Sequence, residues 1–223
     1  MGMNQAIVHL VPTLHQHHAA APAYGFDTLT RVLEHLRPDV LVVELTDSAL
    51  RQRRLQPAKQ EYQHCVFPYL DRHGIPAVPM EPGEPLFTEL VGQGLEAEQL
   101  YQSLWPERYA EYERAAIGAF QALLRSWDSP AALNSERTDE ALREKHAREN
   151  ELFGPKYQDM WDRWNEHFAQ TIAGTADRHG GQRVVALAGV EHGYWLRARL
   201  QALAESSGRW SLAPRLGLLA SLS

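Results

Sequence analysis

Between Pro38 and Thr46 the chain reads Asp-Val-Leu-Val-Val-Glu-Leu, a short run that is apolar on both faces and ends in a carboxylate. A strand that is apolar on both faces must be covered on both faces, which is the situation of internal strands in parallel sheets. Residues 39–45 are therefore read as an internal parallel strand. That assignment commits the chain to crossover connections, usually helical and right-handed. Glu44 stands out in this run. A carboxylate among Val and Leu costs roughly several kcal/mol in desolvation unless it is paired or coordinates something.

The flanking segments fit the same plan. Ala6–Val11 is rich in β-branched residues and meets Pro12, so it reads as a strand. Asp27 or Thr28 is the expected cap of a helix running to about Leu36, with Leu29, Val32, Leu33 and Leu36 on one face and Pro38 stopping it. Gln60–His73 is a helical pattern interrupted by Pro68, with Gly74 as its C-cap. Ile75–Met80 is a third strand, and its two prolines place it near an edge. Arg183–Ala188 is a later strand that turns through Gly189–Gly193 into a helix carrying Trp195, Leu196, Leu200 and Leu203. Pro214–Leu222 is a candidate last strand.

The middle, from about Pro85 to Asp177, has few β-branched residues and reads as several helices, broken near Gly92–Gly94, Ser129–Pro130 and Gly154–Pro155. Its Trp and Tyr residues are expected to pack helices together. Asn134–Glu151 is charge-dense, and its default reading is a solvated helix or a mobile loop. The predicted fold class is α/β, a mostly parallel sheet covered by helices. One domain spans residues 1–223, with a helical insertion or cap at about 85–177.

Charge and cysteine content narrow the function classes. Among 223 residues the net charge is −6, and the one basic cluster, Arg51, Arg53 and Arg54, reads as a solvated face, so no nucleic-acid partner is expected. The single cysteine, Cys65, cannot form an internal disulfide and reads as a buried small hydrophobe. No export signal and no apolar run long enough for a bilayer is visible, so the expectation is a cytoplasmic chain with no membrane partner.

In open parallel sheets, ligands bind outside the carboxyl ends of the strands. Four polar groups fall there: His15 after the first strand, Glu44 near the end of the second, Glu81 after the third and His192 after the late one. Imidazole and carboxylate are ligands for zinc, manganese or iron, and they also relay protons without metal. His17 and His18 read as polar loop residues. Gly189 is expected to permit a tight turn, placing His192 at a helix N-terminus whose dipole favours neutral imidazole.

These segments resemble the broad superfamily that includes TraB/GumN proteins, the Tiki metalloproteases, erythromycin esterases and the haem-binding ChaN lipoproteins. Gly189–Val190–Glu191–His192 is similar to the family's second Gly-x-x-His, and Pro12–Thr13–Leu14–His15 to the first, with proline in place of glycine. Residues 38–45 resemble the family strand that ends in a key glutamate. The run Trp164–Ile172 resembles the helix before the last strand, with Trp164 where the family often has arginine. The resemblance covers roughly residues 6–45 and 160–200, and it implies His15, Glu44 and His192 as the functional core. It implies a hydrolase of an ester, amide or peptide bond in a small-molecule or peptide substrate. In the metal-dependent form, His15, Glu44, Glu81 and His192 would hold a divalent ion such as Mn, Zn, Co or Fe. In the metal-free form, His15 or His192 would deprotonate water, with Glu44 orienting the imidazole. A haem or other small-molecule binder and a noncatalytic scaffold are the alternative readings.

Overall fold

The computed structural model describes residues 5–54 and 57–215. Its strands are β1 (Ala6–Thr13), β2 (Val40–Val43), β3 (Ala77–Pro79), β4 (Arg183–Gly189) and β5 (Trp210–Leu212). They form one all-parallel sheet in the order β3-β2-β4-β1-β5. The run Val40–Val43 lies inside the sheet, between β3 and β4, with all four residues buried. Its side chains alternate as the pleat requires. Leu41 and Val43 join Val11, Val185 and Leu187 in one core, and Val42 joins Val8, Leu10, Val184 and Ala186 in the other.

Helices cover both faces. On the first lie α1 (Phe26–Leu36), α2 (Asp47–Arg51) and α3 (Phe67–His73), and on the second α8 (Pro155–Arg178) and α9 (Gly193–Ser207). Between β3 and β4 the chain also builds α4 (Leu86–Leu104), α5 (Pro106–Ser126), α6 (Pro130–Leu133) and α7 (Glu136–Phe153). The helical middle does not stand wholly apart from the sheet. Phe168, Ala169, Ile172 and Ala176 of α8 are part of the second core. None of the helices among the described residues is long and apolar enough to cross a membrane.

Several local expectations change. The first strand runs through Pro12 to Thr13. Ile7 N–H bonds toward β4 and Val8 C=O accepts from Ala213 on the β5 side. Even positions therefore face β5, which pairs only with Ala6–Val8, and the N–H that Pro12 lacks would have pointed at an open edge. The N-cap of α1 is Gly25, without a side-chain cap, rather than Asp27 or Thr28. Pro68 does not end its helix: residues 60–73 run without a break, and the π-helical turn at Tyr62–Val66 just before it already interrupts the regular α-helical hydrogen-bond ladder that a proline cannot join.

Gly92 and Gly94 do not break α4. A Cβ on Gly94 would lie 3.0 Å from Met160 Cε, so this glycine lets α4 approach α8. Residues 136–153 form α7 with Asp139, Leu142, His146 and Glu149 buried, not a solvated face. The last described strand is Trp210–Leu212; Pro214 and Arg215 follow it outside any strand, and residues 216–222 lie outside the described residues.

Candidate active site

His15 leaves the end of β1 in the left-handed region, at φ 51°. Residues other than glycine adopt it only when their surroundings enforce it, and such positions concentrate at functional sites. The enforcing contacts are local. Leu14 N–H donates to His18 Nε2 (2.9 Å), His18 Nδ1 donates to Tyr24 C=O (2.8 Å), and Tyr24 OH donates to Pro12 C=O (3.0 Å). His18 is therefore not a polar loop residue but a buried pin, and its burial lowers its pKa. His17 is half-buried, its ring 4.9 Å from that of Phe120.

The His15 ring sits between two carboxylates. Nδ1 donates to Glu61 Oε1 (2.7 Å), and Nε2 lies 3.4 Å from Glu44 Oε1. Burial opposes the charge on His15, but Glu44 and Glu61 outweigh it and push the pKa up to about 10. Glu44 meets two further donors in three contacts: Oε2 accepts from Gly189 N–H (2.5 Å), Oε1 lies 3.0 Å from Lys59 Nζ, and its backbone carbonyl accepts from the same ammonium (2.8 Å). Burial works against the carboxylate, yet Lys59 and His15 hold it well below the usual range. Its cost in an apolar strand is thereby offset by ion pairing. Glu81 is also buried and bonds Lys59 Nζ at 2.5 Å; burial raises its pKa despite that partner.

His192 lies on the other side of the turn. Asn165 Nδ2 donates to Trp161 C=O (2.8 Å), which leaves Asn165 Oδ1 to accept from His192 Nδ1–H (2.9 Å). That bond assigns the proton to Nδ1 and the lone pair to Nε2. The ring is stacked on Trp161 (4.7 Å between centroids) and packed against Phe168 (5.0 Å). Burial lowers its pKa to about 4. The imidazole is thus neutral, as the sequence suggests, but burial rather than a helix dipole is the cause.

Gly189 joins the two halves. Its φ of −50° is open to any residue, so the turn itself does not require glycine. The requirement is space, because a Cβ here would meet His15 Nε2 at 2.8 Å and Glu44 Oε2 at 3.4 Å. His15 and His192 line one cavity of about 230 Å³ together with Thr13, Trp161, Gly189 and Glu191. Glu191 is held ionised against burial by His146 (3.4 Å) and Lys145 (2.9 Å). Glu44 lies behind His15. Glu81 does not line this cavity; it faces a separate one with Thr46, Arg54 and Phe87.

The donors do not fit a divalent ion in this arrangement. Lys59 stands between Glu44 and Glu81, where a metal bridging them would have to displace a bonded ammonium. Among the described residues no three His, Cys, Asp or Glu side chains gather as metal ligands. No family model, curated protein or solved structure matches the chain.

Lys59, Glu61, Trp161, Asn165 and Glu191 escaped the sequence reading. Two of them carry a signal in it. Asn165 shares a helical stripe with Phe168, Ala169 and Ile172, and Glu61 precedes Tyr62, Cys65 and Tyr69 at helical spacing. A polar residue on a buried stripe requires a partner.

Proposed function

We propose that the chain is a hydrolase of carboxylic esters that works through two histidines of opposite ionisation. The observation that carries this reading is the cavity lined by both a neutral His192 and a cationic His15. Paired titratable groups whose surroundings push them apart mark a base and its charge-stabilising counterpart. The sequence resemblance to a superfamily with metal-independent esterases supports the same choice. The Lys59 ion pairs favour the metal-free form over the metal-dependent one.

In this mechanism His192 Nε2 takes a proton from water as the water oxygen bonds to the ester carbonyl carbon. The developing oxyanion is stabilised through space by the positive charge of the His15 ring, whose nitrogens stay engaged with Glu61 and Glu44. Collapse breaks the bond to the alcohol oxygen, which receives the proton from His192. The products are a carboxylic acid and an alcohol, and His192 returns to its neutral state. Asn165 positions the base, and Glu44 and Glu61 hold the imidazolium. A cavity of about 230 Å³ suits a small reacting group rather than a haem, since pockets for drug-sized ligands span about 300–1,000 Å³.

The test is hydrolysis of aryl esters, with amide and peptide substrates in parallel, by protein treated with a strong chelator and freed of metal. Full ester activity after chelation is expected. Activity lost on chelation and restored by manganese or zinc would overturn the metal-free form. Absence of turnover on every substrate class would overturn the hydrolase reading.

A further inference from the structure

We infer that the cleft between α5 and α7 receives the apolar acyl chain of the ester substrate while its carbonyl sits at the His15–His192 cavity. The inference rests on the hydrolase reading above and names the substrate class for that site.

The two helices are tied together at both ends. Tyr112 OH donates to Glu149 (2.5 Å) near one end, and Trp127 Nε1 donates to Thr138 Oγ1 (2.9 Å) near the other. Between these ties lies a cleft of about 500 Å³. Ala115, Ala119, Phe120, Leu123 and Ala141 line it with apolar surface, and Ser126 and Glu144 add polar groups. Arg137 and Arg148 also line it, and the aliphatic stems of such residues extend an apolar wall while their charges stay in water. At a rise of 1.5 Å per residue, the stretch from Tyr112 to Trp127 spans about 22 Å, enough for an extended alkyl chain.

The cleft borders the catalytic cavity, with the Phe120 ring and the Lys145–Glu191 pair at the boundary. Phe120 lines both, and it touches His17 beside His15. Lys145 lines the cleft and bonds Glu191, which lines the cavity. These two boundary contacts lie midway along the helices, so a chain attached to a carbonyl in the cavity has to pass beside the Phe120 ring to reach the cleft. An apolar trough bordering a polar reaction cavity suits an acyl ester, whose two parts have those two polarities. Small side chains at Ala119 and Ala141 leave the room that the chain would fill.

The experiment measures kcat/KM for acetyl, butanoyl, octanoyl and dodecanoyl aryl esters in the native protein and in Ala119→Trp and Ala141→Trp. In the native protein kcat/KM is expected to rise about two- to fourfold per added methylene until the cleft is filled. In each variant the octanoyl-to-acetyl ratio is expected to fall by about tenfold or more, because the indole occupies space for several methylenes. A native kcat/KM that is independent of chain length overturns the inference while leaving ester hydrolysis intact. Should the protein hydrolyse no ester, calorimetric titration with decanoate decides separately. Binding to the native protein that is lost in both variants supports the cleft; no binding to the native protein overturns it.

Discussion

Replacing His192 by alanine is expected to lower kcat/KM for ester hydrolysis by about two to four orders of magnitude, the usual contribution of a positioned general base. The variant removes the buried neutral imidazole that Asn165 orients in the cavity; His17 also lines the cavity with a pKa lowered by burial, so His17→Ala is made in parallel and is expected to keep most of the activity. His15 cannot take over, because Glu44 and Glu61 hold it as a cation. His192→Gln separates chemistry from packing: it preserves a polar group near Asn165 but supplies no base, so it should be about as inactive as the alanine variant. Asn165→Ala acts one step removed. It frees the ring to turn and change tautomer, and its effect should fall on kcat and on the acid limb of the pH profile more than on KM. Far-ultraviolet dichroism and thermal unfolding check that each variant folds. Native-like turnover by a folded His192→Ala protein would remove His192 as the base.

Replacing Lys59 by methionine is expected to destabilise the fold by about 3–5 kcal/mol, the range for breaking a buried ion pair by removing one partner. Lys59 is largely buried and bonds both Glu44 and Glu81, themselves buried. Without the ammonium, two carboxylates remain close together, one inside the sheet and one beside it. His15 compensates part of the charge on Glu44 and, from farther away, acts on Glu81, which has no second ion pair among the described residues. The sign with pH follows from this. The carboxylates left without the ammonium take up protons as pH falls, so the penalty is largest at neutral pH and shrinks in acid. Denaturant unfolding at pH 7 and pH 5 measures both statements. Adding Glu81→Gln to Lys59→Met should recover part of the loss, since the two residues are in contact and their effects are coupled. A loss below about 1 kcal/mol at neutral pH would instead describe a solvated surface pair.

The parallel sheet was legible because its signal is local: four buried aliphatic residues in β2, alternating between two cores, admit few other homes. The prolines of β3 marked an edge for an equally local reason. Pro12 misled because whether a strand tolerates proline depends on which neighbour its N–H faces, and that is decided by β5, far along the chain. His15, Glu44 and His192 stood out as candidates because polar groups at strand ends are conspicuous in sequence, and the structure brings the three close together around Gly189. Their ionisation was not legible. It depends on Glu61, Lys59 and Asn165, which approach from α8 and from the segment before α3. The same separation explains Gly189, whose need for glycine arises from the approach of His15 and not from its own backbone. Glu81 was drawn into the site by its position after β3, but its partner turns it toward Lys59 and a different cavity.

The ionisation of the two histidines at one cavity is most directly measured by nitrogen-15 NMR of their ring nitrogens across pH, with His15→Gln and His192→Gln assigning the signals. The expected result is a His192 ring that is neutral at pH 7, protonated on Nδ1 and gaining its second proton only as pH falls toward about 4. The His15 ring should remain an imidazolium at pH 7 and lose its charge only as pH rises toward about 10. Two rings titrating together near 6.5, the ordinary value, or a His192 whose proton resides on Nε2 at neutral pH, would contradict the assignment of base and cation on which the hydrolase reading stands.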